Sequence, residues 1–164
     1  MIITLMMTVI AGRVFPMFTA NGTKTQKVSN LAWLEKSVIG SNVLIVLIYY
    51  SETQNVLPIK VMVLLFVLSS LAHSIRPIRW RTQVTFKTPL VWSLHLAYWF
   101  IPISFLLFAL HYAGVNISVS NALHCLTAGA MSSLILAMIA RISLGHSGRP
   151  LTPHWILAKL ISVH

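Results

Sequence analysis

"PLVWSLHLAYWFIPISFLLFALHY", residues 89–112, runs for twenty-four positions without a Lys, Arg, Asp or Glu. As an α-helix it covers about 36 Å, enough to cross a hydrocarbon core of about 30 Å. Pro89 stands where a helix tolerates proline, at its start, and Pro102 is a kink candidate inside it. One stretch of this kind commits a chain of this size to the bilayer.

The rest of the chain agrees. It has 164 residues, 57% of them hydrophobic and 9% charged, with a mean hydropathy of +0.82. Soluble domains carry roughly 25% charged residues, so a soluble fold would have too little polar surface here. Three further stretches read as full spans: residues 37–50 extended upstream through 30–36, residues 56–76, and residues 118–142. Residues 1–18 are apolar but broken by Gly12, Arg13 and Pro16, and residues 152–164 begin another apolar run of about a dozen residues. The expectation is an all-α polytopic transmembrane bundle of four full spans, with a partial span at each end. Residues 1–164 form one membrane region with no internal repeat, expected to be a fragment of something longer.

Net charge is +10, from twelve Lys and Arg against Glu35 and Glu52. In a soluble protein that excess would point to nucleic acid. Here the basic residues cluster in alternate loops. Lys24, Lys27 and Lys36 fall in or beside the first, Arg76, Arg79, Arg81 and Lys87 in the third, Arg141 and Arg149 in the fifth. The second and fourth have none. The alternation places loops 20–36, 76–88 and 141–150 in the cytoplasm. The single Cys125 excludes an internal disulfide.

Seven histidines are the main chemical signal. Ionisable side chains in a membrane normally face a partner, a cavity or a metal, and neutral imidazole is a common ligand of iron and copper. His95 lies about 9 Å inside the cytoplasmic end of its span. Tyr98, Trp99 and Pro102 follow at i+3, i+4 and i+7, as in the wall of a pocket for a flat cofactor. A histidine bonded across to a neighbouring helix reads equally well. His124 lies at similar depth from the other side, roughly 18 Å away in height, so the two do not share one metal ion. Cys125, Thr127 and Met131 accompany it, and the small residues of "AGAMSS" (128–133) read as a close helix contact. His73 and His111 read as end-of-helix residues that snorkel or cap. Arg13 lies about two turns inside the cytoplasmic boundary, within snorkelling reach. Around "RISLGHSGRP" (141–150), Arg141, His146 and Arg149 beside Gly145 and Gly148 suit an anionic group such as a haem propionate, besides setting orientation.

"GRVFPMFT" (12–19), "PLVWSLHLAYWFIP" (89–102) and "LHCLTAGAMSSLILAMIARISLGHSGRPL" (123–151), in this order, resemble the NnrS family. That family comprises polytopic bacterial inner-membrane proteins of about twelve helices, described as containing haem and copper and linked to nitric-oxide stress. The resemblance implies haem and copper as cofactors, with Arg13, His95, His124, Arg141, His146 and Arg149 at the family's recurring polar positions and His95 and His124 as metal candidates. It implies as partners the lipid bilayer and the remaining helices of the family or a second copy, and no nucleic acid. Two other readings compete: a transporter or permease fragment, suggested by kinked helices, and a structural membrane subunit without cofactor. No nucleophile–base pair, P-loop or metal-hydrolase motif is present, so the enzyme reading is the weakest.

Overall fold

The computed structural model describes the backbone of residues 1–146 and the side chains of residues 1–143. The described residues form helices and short connections, with no strand among them. Helix α1 is Ile2–Thr23, α2 Ala32–Tyr50, α3 Ile59–Arg79 and α4 Pro89–Tyr112. A fifth rod begins as α5, Val119–His124, passes through a π-helical segment, Cys125–Ser132, and ends as α6, Ser133–His146. All five rods are long and apolar enough to cross a membrane.

The difference from the sequence reading is α1. Residues 1–18 were expected to give only a partial span, yet the helix runs unbroken for 22 residues through Gly12, Arg13 and Pro16. Proline at 16 has no N–H to offer the Gly12 carbonyl four residues earlier. Asn30 Nδ2, from the loop before α2, donates to that carbonyl at 2.9 Å. A tertiary hydrogen bond thus replaces the helical one. Replacing Asn30 by Leu leaves the Gly12 carbonyl unmet and is expected to destabilise the bundle by about 1 kcal/mol. Detergent-denaturation midpoints of the two proteins would show it.

Local signals set the other ends. Pro89 occupies the first turn of α4, where its fixed φ suits the helix. Ser118 caps α5, its side chain accepting from the Asn121 N–H. Lys24 closes α1 in the left-handed region, φ 55°.

Helix α4 is the most buried rod and packs against α3, α1 and the fifth rod, while α2 packs against α1 and α3. The core beside the α2–α3 connection is aromatic: Phe66 stacks on Phe108 at 5.0 Å and on Tyr112 at 5.8 Å. At the other end the first and third loops meet, Arg79 Nη2 donating to the Ser29 carbonyl at 3.1 Å. The small-residue run behaves as expected. A Cβ on Gly129 would lie 2.6 Å from the Phe100 ring, so α4 and the π-helical segment approach too closely for any side chain there.

Candidate functional site

Charge inside an apolar bundle needs a partner. Arg76 is 1% exposed on α3 and forms a two-pronged ion pair with Glu35 of α2. Its Nε donates to Oε1 at 3.0 Å and its Nη2 to Oε2. Its Nη1 donates to the Thr8 carbonyl of α1 and to the Tyr98 hydroxyl of α4, both at 3.0 Å. One guanidinium therefore ties four helices together. Gly12 makes room for it: a Cβ there would collide with the guanidinium and lie 2.8 Å from Glu35 Oε2.

The network continues inward. His73, one turn before Arg76, is wholly buried, with Nε2 2.7 Å from Asn42 Nδ2 and Nδ1 2.9 Å from the Tyr98 hydroxyl. Asn42 Nδ2 is a donor, also directed at the Val38 carbonyl at 3.0 Å, so Nε2 accepts and Nδ1–H donates to Tyr98. The Tyr98 oxygen receives two hydrogen bonds, one from a cation. His73, expected at a helix end to snorkel or cap, is instead a central member of this set.

His95 has no exposed surface. Thr82 Oγ1 donates to the Pro77 carbonyl at 2.7 Å, so it accepts from His95 Nδ1–H at 2.9 Å. Nε2 then accepts from Thr19 Oγ1 at 2.8 Å. The ring is a neutral tautomer with both nitrogens engaged, packed against Phe15 and Trp80. Of its stripe, Tyr98 and Pro102 face inward with it, and Trp99 is half-buried.

His124 differs. It is exposed at the last residue of α5, where the π-helical segment begins. Its Nδ1–H donates to the Ser120 carbonyl at 2.7 Å, which leaves the lone pair on Nε2, for which no partner exists among the described residues. A metal-bound histidine is oriented in just this way by a backbone carbonyl, and π-turns gather at functional positions. Next to it, Cys125 Sγ donates weakly to the Phe100 carbonyl at 3.5 Å. Phe100 lines a crevice of about 310 Å³ between α4 and the fifth rod. His111 shares the Nδ1–H arrangement, donating to the Ile117 carbonyl at 2.8 Å and closing the turn after α4.

The remaining candidates lie apart. Arg141 is mostly buried, its guanidinium 4.1 Å above the Phe18 ring, and its Nη1 is buried without a partner among the described residues. Arg13 is exposed on α1. The His146 side chain and Arg149 lie outside the described residues. Among the described residues, no three His, Cys, Asp or Glu side chains converge on a possible metal position. Sequence reasoning missed Arg76, Glu35 and Asn42, and it placed Tyr98 in a pocket wall beside His95 rather than between His73 and Arg76. The available signal was the spacing of His73 and Arg76, three apart on one helical face, in a chain with only two carboxylates.

Neither a curated protein nor a solved structure matches the chain. A family model described as "NnrS protein" matches residues 1–164. That match spans the whole sequence, including the Gly12 cradle, the His95 stripe and the His124 turn, and the chain belongs to the NnrS family.

Proposed function

We propose that this multi-pass membrane protein is a haem- and copper-binding component of the nitric-oxide stress response. It would be seated in the bacterial inner membrane with loops 20–36, 76–88 and 141–150 on the cytoplasmic side. The observation that carries this reading is the free Nε2 of His124, held outward by the Ser120 carbonyl. Haem iron or copper, once bound, supplies the position at which nitric oxide binds. The protein's part is to hold the metal and shape its surroundings.

Within this reading His124 is the metal ligand of the described region. Arg141 stands about 25 Å along the same rod from His124, beyond the span of one haem, so it suits a propionate only of a haem ligated elsewhere, one guanidinium nitrogen being buried without a partner among the described residues. His95 serves as the pin that locks α1, α4 and the third loop together through Thr19 and Thr82. The test is an absorption spectrum with metal analysis of protein purified from haem- and copper-supplied cells. His124→Ala is expected to remove the Soret band or the bound copper, and His111→Ala to leave both. A spectrum unchanged by His124→Ala overturns the assignment.

The Arg76–Glu35 pair favours a second reading, that of a carrier fragment. Charged pairs inside helix bundles mark ion and substrate pathways, and Glu35 is turned inward from its helix end. Solute flux in proteoliposomes, lost in Glu35→Gln with metal content intact, would support the carrier and count against the first reading.

A further inference from the structure

Helix α1 packs on α4 and on the π-helical segment, but not closely on α6. It therefore parts from the fifth rod toward the membrane end where α1 closes at Thr23 and α6 at His146. The gap is a crevice of about 260 Å³ whose walls expose no polar atom. Ala11 and Phe15 of α1 face Leu134 and Met138 of α6 across it, and Ile10 and Ile139 stand exposed at its rim. One helical turn beyond Phe15 and Met138, Phe18 and Arg141 meet, the guanidinium 4.1 Å above the ring. That contact forms the end of the crevice.

The end is at headgroup reach. Phe18 is five residues before Thr23 and Arg141 five before His146, so both stand about 8 Å from the ends of their helices. An arginine spans most of that distance with its own side chain. Arg141 is 8% exposed, and its Nη1 is buried without a partner among the described residues. A desolvated donor without an acceptor is costly, and the planar guanidinium fork matches phosphate oxygens. Neither carboxylate of the chain competes for it. Glu35 is held by Arg76, and Glu52 lies in the connection after α2, at the opposite membrane end. A headgroup with net negative charge fits this surrounding, whereas the cation of a choline headgroup would find no counter-charge.

We propose that the crevice between α1 and α6 binds one anionic phospholipid, its acyl chain between Phe15 and Met138 and its phosphate on Arg141. Basic pockets between membrane helices take headgroups of this kind. The inference leaves the His124 assignment untouched and gives Arg141 a different anion from a haem propionate.

The test uses the full chain purified in detergent. Native mass spectrometry counts the lipid retained from equal mixtures of phosphatidylglycerol and phosphatidylcholine with the same acyl chains. Wild type is expected to retain one phosphatidylglycerol, preferred about five-fold over phosphatidylcholine. Arg141→Gln is expected to remove the preference, and Arg141→Lys to keep part of it. Lys27→Gln removes a loop cation at the same membrane end, outside the crevice, and is expected to leave the preference unchanged. Ile139→Trp narrows the crevice with Arg141 in place, and is expected to lower retention of both lipids. Phosphatidylglycerol is also expected to raise the thermal midpoint of wild type and not that of Arg141→Gln. Equal retention of the two lipids by wild type, or a preference that survives Arg141→Gln, overturns the proposal. Haem that displaces the lipid from wild type and fails to bind Arg141→Gln gives the site to a propionate and overturns it as well.

Discussion

Arg76→Met is expected to destabilise the bundle by about 3–5 kcal/mol, the usual effect of stripping a buried charge of its partner. The Glu35 carboxylate, its side chain 21% exposed, would be left against Gly12 with no cation. The Thr8 carbonyl and the Tyr98 hydroxyl would each lose a donor. Glu35→Gln alone is expected to cost less, because the guanidinium keeps Tyr98, the Thr8 carbonyl and a neutral amide oxygen. The double variant Arg76→Met/Glu35→Gln removes both charges, and is expected to recover most of the single-variant loss. The midpoint of SDS-induced unfolding, followed by tryptophan fluorescence in mixed micelles, measures all four proteins. An Arg76→Met midpoint equal to that of wild type would mean the pair contributes nothing to the fold.

The spans were legible in the sequence because hydropathy over about twenty residues is a local property. Residues 89–112 needed nothing beyond their own composition. Residues 1–23 escaped the same reading because Pro16 and Arg13 look like breaks to any local rule. The repair, Asn30 donating to the Gly12 carbonyl, comes from 18 residues away. The polar network was hidden for a related reason. Arg76 and Glu35 sit near helix ends, where charge ordinarily serves orientation. Their inward turn depends on the rotation of α2 and α3 about their axes, which four helices fix jointly. For His124, spacing located the ring, but the hydrogen bond to Ser120 that frees Nε2 is a matter of rotamer and tautomer. No residue pattern records that.

Gly12→Ala is expected to destabilise by about 1–3 kcal/mol, and the sign is the informative part. In an ordinary helix interior, Ala is better than Gly by about 1 kcal/mol. At position 12 the new methyl would collide with the Arg76 guanidinium and press on Glu35 Oε2. Neither group can retreat without breaking the two-pronged pair, because Arg76 is also held by the Thr8 carbonyl and Tyr98. The penalty therefore belongs to the ion pair and should depend on it. In the Arg76→Met/Glu35→Gln background, flexible and uncharged side chains leave room for the methyl. There Gly12→Ala is expected to become neutral or stabilising, approaching the helix-propensity gain. The same SDS titration reads both backgrounds. A penalty of equal size in each would assign Gly12 to close helix packing alone, and would separate it from the charge it encloses.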